Sequence, residues 1–332
     1  MTMRFGILGT GRITRRLVAE IQSCPETEVV CIASRQQERA SWYAQQFGIA
    51  VGVTGYPTLL QRPDVDAVYI ALPPALHLQW SLAAVEHGKH LLCEKPLVID
   101  SGQAQQLAKA CGETSRRWLD ATGWLHHPRT ASFTEAVNNG KLGHLRHIST
   151  AVSFFEPFQS QDHRLQADLG GGCLLDLAWY AVGLPIWLAG PPAAVYATAI
   201  YRQDVPYRVS GLLWFDDEVQ ATFSCGYDTS TRKWCEVAGT AGSVVCDDFT
   251  RTWPGKPQRY WIHDRTGTAT VIEENGNQEQ RMLRTFADLD HDLSRLQQQA
   301  LCTQRTLDAI SKSITMNARI DIPPLQRESA CN

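Results

Sequence analysis

Residues 5–14 read Phe-Gly-Ile-Leu-Gly-Thr-Gly-Arg-Ile-Thr, an apolar run that breaks into a glycine turn and continues in a helix-like pattern. Gly9 permits a tight turn at the end of a strand, and Gly11 lets the backbone approach a pyrophosphate. The helix that follows directs its first N–H groups at that anion, although Thr14 stands where this fingerprint has a third glycine. The stretch therefore predicts a dinucleotide-binding loop made by Gly9, Thr10, Gly11, Arg12 and Ile13.

Strand-like and helix-like segments alternate over the first part of the chain, which is typical of a doubly wound parallel sheet. From residue 144 onward, strand-like runs follow one another without helices between them, which indicates a mostly antiparallel sheet. Helices are expected beside that sheet at 172–188, 280–298 and 301–317. We therefore predict an α/β protein with a nucleotide-binding Rossmann domain at 1–122 and an α+β domain with a large open sheet at 123–332.

The composition is that of an ordinary globular chain. The 332 residues carry a net charge of −3, and no basic run is dense enough to indicate nucleic acid or an anionic membrane as a partner. The apolar stretch 169–188 contains Asp176 and Pro185, so it fits a buried helix better than a membrane span. Ten cysteines without C-x-x-C pairs indicate free thiols in a reducing compartment, and a strand begins near the N-terminus where a signal peptide would lie. A cytoplasmic protein is expected.

Two further strand ends carry candidate cofactor contacts. The second predicted strand ends in Ser34 and Arg35, where NAD-preferring sites place an acidic residue. A hydroxyl and a guanidinium suit a ribose 2′-phosphate, so NADP(H) is expected in preference to NAD(H), which stays possible; the alternative is an Arg35 that only lies in solvent. The next long strand leads into Leu72, Pro73 and, in the following helix, His77, for which a structural role is the alternative.

Glu94 and Lys95 follow another strand at the same sheet edge. Partial burial predicts a lowered pKa for Lys95, whose ammonium can polarise a substrate oxygen. A simple surface ion pair between the two side chains is the alternative. The Lys95–Pro96 peptide bond is predicted to be cis.

Asp176 and Tyr180 are four residues apart in the apolar helix predicted at 172–188, which places both on one helical face. An unpaired carboxylate in such a helix would be costly, so a polar crevice is expected beside it. Tyr180 can then exchange a proton with a carbinol or carbonyl oxygen, and Asp176 can orient the substrate or hold Lys95. A core aromatic residue and a buried hydrogen-bond acceptor are the alternatives.

Together these motifs resemble the glucose–fructose oxidoreductase/inositol dehydrogenase/MocA family along nearly the whole chain, and most closely its dimeric dihydrodiol dehydrogenases and related NADP-dependent sugar oxidoreductases. The resemblance is carried by Gly9-Thr-Gly-Arg-Ile, Pro73-Pro74-x-x-His77, Glu94-Lys95-Pro96 and Gly170-Gly-Gly…Asp176-x-x-x-Tyr180. It implies that Lys95 and Tyr180 serve the chemistry with help from Asp176. It further implies that His77 and Glu94 line the cofactor site and that Arg164 reaches substrate or cofactor. Oligomerisation through the C-terminal sheet, as a homodimer or homotetramer, is also implied.

Two departures from the family pattern leave the substrate open. Many relatives carry an arginine before a proline at the domain junction, whereas this chain reads Trp124-Leu-His126-His127-Pro128, so Trp124 and His126 are the candidate substrate contacts there. The position of Tyr180 is histidine in several sugar dehydrogenases of the family. His126 and His127 are adjacent and lack the spacing of a metal-binding pair, so no metal is expected.

The sequence therefore predicts an NADP(H)-dependent oxidoreductase that acts on a sugar, polyol, dihydrodiol or related carbonyl. In this prediction Tyr180 protonates the substrate oxygen while hydride moves, and Lys95 stabilises the alkoxide and lowers the pKa of Tyr180. Two alternatives stay open: glycoside cleavage with a tightly held NAD, and a cofactor-binding regulatory protein without activity.

Overall fold

The first sheet is built from buried strands of the N-terminal part. The computed structural model describes residues 2–216, 218–251 and 257–324. The strands are β1 (Met3–Leu8), β2 (Thr27–Ser34), β3 (Val51–Thr54), β4 (Ala67–Ile70), β5 (His90–Cys93) and β6 (Trp118–Asp120). They pair in parallel in the order β3-β2-β1-β4-β5-β6. The connecting helices are α1 (Arg12–Ser23), α2 (Gln37–Phe47), α3 (Tyr56–Leu60), α4 (His77–Glu86) and α5 (Ser101–Thr114). This confirms the predicted doubly wound sheet.

The second sheet has nine strands. They are β7 (Leu145–Ser153), β8 (Ala194–Arg202), β9 (Val205–Trp214), β10 (Gln220–Gly226), β11 (Cys235–Gly239), β12 (Gly242–Cys246), β13 (Gln258–Asp264), β14 (Ala269–Glu274) and β15 (Ile320–Asp321). Their order is β14-β13-β12-β11-β7-β10-β9-β8-β15, with β7 and β10 parallel and the other neighbours antiparallel. The predicted antiparallel sheet is thus confirmed, with β14 and β15 at its two edges.

The helices of the second part differ from the prediction. They are α6 (Pro128–Asn138), α7 (Cys173–Asp176), α8 (Ala178–Ala189), α9 (Gln278–Ala287) and α10 (Ser294–Met316). The single helix predicted at 172–188 is wrong, because the chain breaks at Leu177 into α7 and α8. The helix predicted at 280–298 is also wrong: α9 ends before α10 begins, and His291 and Asp292 lie between them.

Among residues 2–216, 218–251 and 257–324, no single helix is both long and apolar enough to span a bilayer. The bent pair Ala167–Asp176 and Ala178–Ala189 meets the criteria of length and composition when its members are taken together.

Helix α8 tolerates an internal proline because the second sheet supplies a donor. Pro185 has no N–H for the carbonyl of Ala181 one turn earlier, and the hydroxyl of Thr150 in β7 donates to that carbonyl at 2.6 Å. Helices α8 and α10 both pack against the second sheet. Strand β8 exposes large apolar side chains on the surface of the second sheet, where Tyr196 is 36% and Ile200 is 50% accessible.

Helix α9 packs against the first sheet, although it comes late in the chain. Met282, Leu283 and Phe286 belong to the core that contains Phe5 of β1, and the rings of Phe5 and Phe286 lie 5.9 Å apart. The amide of Asn277, which caps α9, donates to Glu20 of α1 at 2.7 Å. Helix α9 of the C-terminal part therefore completes the core of the N-terminal part. The division of the chain at residue 122 stays a prediction.

Candidate active site

A cleft of about 1010 Å³ lies beyond the carboxyl ends of the strands of the first sheet, between that sheet and the second part of the chain. It is lined by most of the residues that the sequence singled out, namely Gly9, Thr10, Gly11, Arg12, Ile13, Ser34, Arg35, Leu72, Pro73, Glu94, Lys95, Arg164, Asp176 and Tyr180. The topology therefore brings the candidates from the first sheet and those from the second part of the chain to one place, as expected for the strand ends of an open α/β sheet.

Residues 9–13, which we call the phosphate loop, are shaped by close backbone contacts. Gly9 has φ +105°, and a Cβ there would lie 2.5 Å from the carbonyl oxygen of Ala71. Gly11 caps the first turn of α1 without a side-chain hydrogen bond; the N–H of Thr14 donates to the carbonyl of Gly11, which leaves the N–H groups of Arg12 and Ile13, both in the cleft lining, without a side-chain cap. The carbonyl of Thr10 accepts from Arg39 Nη2 and Tyr43 Oη, both at 2.8 Å. An anchored loop with open N–H groups fits the pyrophosphate of a dinucleotide.

The far end of the cleft is cationic. Ser34 is buried at the end of β2, whereas Arg35 and Arg39 are exposed, and all three line the cleft. Sequence reasoning missed Arg39, which lies in the first turn of α2, and no motif in the sequence marks it. No carboxylate stands at residues 34–36. This donor set fits a ribose 2′-phosphate better than a ribose hydroxyl.

Lys95, Asp176 and Tyr180, which we call the reaction cluster, meet at the other end. Lys95 Nζ donates to Asp176 Oδ1 at 2.6 Å and to the backbone oxygen of Asp176 at 2.9 Å. The same nitrogen lies 5.0 Å from the centre of the Tyr180 ring. Lys95 lies after β5, and its peptide bond to Pro96 is cis, as predicted. Asp176 ends α7, and Tyr180 lies in the first turn of α8. The break at Leu177 means that their proximity does not come from a single helical face.

The electrostatics correct two expectations. Burial is the largest single influence on Lys95 and disfavours its charge, but Asp176, Tyr180 and Glu94 together outweigh it, so the pKa of Lys95 is raised and not lowered. Burial raises the pKa of Tyr180, and the charge of Lys95 offsets this only in part. Asp176 is desolvated too, yet Lys95 and Arg164 hold its pKa well below the usual range. At neutral pH the cluster therefore consists of an ammonium, a carboxylate and a neutral phenol.

Arg164 lines the cleft but is already engaged. Its Nε donates to Asp176 Oδ2 at 2.7 Å, and its Nη1 lies 3.5 Å from Asp162. Tyr227, which sequence reasoning missed, donates to the same Oδ2 at 3.0 Å. Tyr227 directly follows β10, and no motif in the sequence marks it.

Three predicted contacts lie outside the cleft lining, and each is a correction. His77 is buried, with ring nitrogens 2.8 Å from the carbonyls of Leu72 and Pro96, so it joins two loops and is not part of the cleft lining. Trp124 is buried against Phe249, with ring centres 5.9 Å apart. His126 also lies away from the cleft, and its Nε2 is buried without a hydrogen-bond partner among the described residues.

Ion pairs connect the two sides of the cleft. Arg12 of the phosphate loop lies 3.2 Å from Glu156 and 3.6 Å from Asp162. Arg16 of α1 pairs with Glu279 of α9. These acidic partners line the cleft and were not predicted, because nothing in their local sequence indicates that they face α1.

Comparison with known proteins identifies relatives for the whole chain. Residues 3–120 match the oxidoreductase family with an NAD-binding Rossmann fold, GFO/IDH/MocA, and residues 130–245 match a C-terminal domain of the same family. A D-xylose 1-dehydrogenase (NADP(+)) from Haloferax volcanii is 30% identical over 96% of this chain and 100% of its own length. A dTDP-3,4-didehydro-2,6-dideoxy-α-D-glucose 3-reductase from Actinomadura kijaniata is 36% identical over 73% of this chain and 74% of its own length.

A solved structure agrees with these relationships. The crystal structure of a 3-ketoreductase from Actinomadura kijaniata in complex with NADP and TDP-benzene superposes with a TM-score of 0.89 at 29% identity, covering 95% of this chain and 98% of the other. Structures of lysine and tyrosine variants of that ketoreductase are also similar to this chain. The chain therefore belongs to the glucose–fructose oxidoreductase/inositol dehydrogenase/MocA family, the oxidoreductases with an NAD-binding Rossmann fold.

Proposed function

We propose that the protein is an NADP(H)-dependent oxidoreductase that interconverts a carbonyl and a hydroxyl group of a sugar or sugar nucleotide. The observation that carries the proposal is the reaction cluster: an ammonium fixed by a carboxylate lies against the Tyr180 ring in the cleft that the phosphate loop also lines. When bound, the nicotinamide cofactor supplies or accepts the hydride.

The chain's own residues supply the proton and the charge stabilisation. Because its pKa is raised, Tyr180 is a neutral phenol at pH 7 and can donate its proton to an oxygen that becomes negative during carbonyl reduction. Lys95 stays protonated because of Asp176, so its fixed positive charge stabilises both the developing alkoxide and the phenolate that remains on Tyr180. In the oxidative direction the same phenolate would take the proton back.

The preference for NADP(H) rests on the cationic end of the cleft. Ser34, Arg35 and Arg39 would hold the 2′-phosphate, and the backbone of the phosphate loop would hold the pyrophosphate. Leu72 and Pro73 would line the path of the cofactor from there toward Lys95. Two relatives support this preference, since the D-xylose dehydrogenase is named for NADP(+) and the ketoreductase was crystallised with NADP.

The substrate class is proposed from the relatives. Among them are a pentose dehydrogenase and reductases of dTDP-linked keto sugars, and a trans-1,2-dihydrobenzene-1,2-diol dehydrogenase from Xenopus laevis is 26% identical. Sugars and sugar nucleotides are therefore the first compounds to test, with dihydrodiols next. Self-association through the exposed strand surface of the second sheet, as a dimer or tetramer, belongs to the same proposal.

The test combines a substrate panel with two variants. NADPH absorbance is followed with aldoses, dTDP-linked keto sugars and dihydrodiols. For a substrate that the wild-type protein turns over, Tyr180→Phe and Lys95→Met should each lower kcat by about 10²–10⁴-fold, the usual contribution of a positioned proton donor or charge. NADPH binding, measured by fluorescence titration, should stay near the wild-type value.

Matched controls are available on the surface. Tyr196→Phe and Lys109→Met change the same residue types at exposed positions and should leave kcat unchanged. If the two cleft variants keep near-wild-type turnover while they bind NADPH normally, the assignment of the proton donor and its cation is wrong.

A further inference from the structure

The carboxylate of Asp176 has more partners than the proposed chemistry uses. Lys95 occupies Oδ1 at 2.6 Å, while Oδ2 accepts from Arg164 Nε at 2.7 Å and from the Tyr227 hydroxyl at 3.0 Å. Neither Arg164 nor Tyr227 has a part in the proton transfer described above. We propose, on the basis of the proposed function, that Arg164 and Tyr227 are positioning residues that hold Oδ2 of Asp176 so that Oδ1 keeps the Lys95 ammonium against Tyr180.

The backbone around Arg164 is built to bring it to Asp176. Arg164 lies in a short 3-10 turn, His163–Leu165, and its carbonyl accepts from the N–H of Gly172 at 2.9 Å, immediately before α7. A Cβ on Gly171 would lie 2.7 Å from the carbonyl oxygen of His163. Only a residue without a side chain allows this approach. The glycine run therefore docks the turn that carries Arg164 onto the start of the helix that ends in Asp176.

Tyr227 is held from the other side by aromatic rings. It is fully buried, and its ring centre lies 4.9 Å from Phe158 and 5.5 Å from both Phe154 and Tyr207. Phe158 also lies under the guanidinium of Arg164, at 5.7 Å. A phenol fixed on several sides has little freedom to move its hydroxyl, so its hydrogen bond fixes the direction of the Asp176 carboxylate.

Charge alone does not explain Tyr227. The titratable and charged groups around Asp176 are Lys95, Arg164, Tyr180, Tyr227, His163 and Cys173. Two cations already keep the carboxylate ionised, and burial keeps Tyr227 neutral by raising the pKa of its phenol. The hydroxyl therefore adds direction rather than charge. Without it, the carboxylate can rotate about its terminal bond away from Lys95.

The experiment is Tyr227→Phe, which removes one oxygen and keeps the ring. The first measurement is an NMR titration of Lys95 in the cofactor-free protein, prepared with labelled lysine. The chain has seven lysines, and the signal that is missing in Lys95→Met belongs to Lys95. If Asp176 turns away, Lys95 loses its partner but stays buried, so its pKa should fall relative to wild type. With a turned-over substrate, kcat should fall about tenfold, as for a lost hydrogen bond to a charged group, while the KM for NADPH stays the same.

The matched control is Tyr207→Phe, which removes a hydroxyl from the adjacent ring of the same aromatic cluster; Tyr207 does not line the cleft. It should leave the Lys95 titration and kcat at wild-type values. Equal Lys95 titrations in the two variants would overturn the positioning role. If Tyr227→Phe does not fold, Arg164→Lys is the second variant. It keeps the positive charge but removes the Nε donor, so kcat should again fall while the KM for NADPH stays the same. An unchanged kcat would overturn the proposal.

The two proposals fail in different ways. A wild-type protein that reduces no carbonyl with NADPH and oxidises no alcohol with NADP⁺ contradicts the proposed function. The titration of Lys95 in the cofactor-free protein needs no substrate, so it decides on the positioning of Asp176 in either case.

Discussion

The two ends of the cleft are built on different principles. At the cofactor end, the phosphate loop is one continuous stretch that turns at Gly9, and the cations Arg35 and Arg39 stay exposed. At the reaction end, Lys95, Arg164 and Asp176 come from separate segments, their side chains are 13–24% exposed, and side-chain hydrogen bonds hold them together. The first end depends on local conformation and the second on the assembled fold. Changes at the first should therefore alter binding, and changes at the second should alter stability and turnover.

The largest expected effect is that of Asp176→Ala. It leaves the cations Lys95 and Arg164 buried without their shared partner, so the free energy of unfolding should fall by about 3–5 kcal/mol. Urea denaturation at pH 7 measures this value. Asp64→Ala is the matched control. Asp64 lies 2.6 Å from Arg62, the same distance as between Lys95 and Asp176, but the Arg62–Asp64 pair is the more exposed of the two. It should cost less than about 1 kcal/mol. Similar costs for both variants would contradict the distinction between the two ends.

A smaller effect is expected at the cofactor end. Arg35→Ala removes an exposed cation from the cleft, so the Kd for NADPH should rise about tenfold while the Kd for NADH changes little, because NADH lacks the 2′-phosphate. Arg39 is left in place because it also anchors the phosphate loop through the Thr10 carbonyl. Fluorescence titration with both cofactors gives the ratio, and the free energy of unfolding should stay near wild type. Arg15→Ala is the control, since Arg15 stacks near Trp42 at 5.8 Å and does not line the cleft. An equal loss for NADH would contradict recognition of the phosphate.

The contrast between the ends also explains what the sequence could predict. The phosphate loop, Ser34 and Arg35 were predictable because each follows a buried parallel strand whose apolar run is visible in the sequence. Lys95, Asp176 and Tyr180 were predictable as candidates because their motifs are local. Their arrangement was not, because the break at Leu177 depends on how the chain packs rather than on helical spacing.

The partners of Asp176 lay beyond sequence reasoning for a related reason. Arg164 was expected to reach substrate or cofactor, and Tyr227 was not expected at all, because a contact across 51 residues leaves no periodic trace. The sign of the pKa change at Lys95 was wrong because burial and the charge of Asp176 act in opposite directions. Which one dominates depends on a distance that only the folded chain defines.

His126 provides the smallest test, because it belongs to neither end. Burial lowers the pKa of His126 to about 3, so between that value and the ordinary histidine pKa the unfolded chain binds a proton that the native protein does not. Stability should therefore fall as the pH falls through this range. His126→Gln should reduce the slope of unfolding free energy against pH by about 1.4 kcal/mol per pH unit between about pH 4 and 6. The slope should not vanish, because burial also lowers the pKa of His127 to about 4. The KM for substrate should stay the same in His126→Gln, and a raised KM would return His126 to the substrate site that the sequence predicted for it.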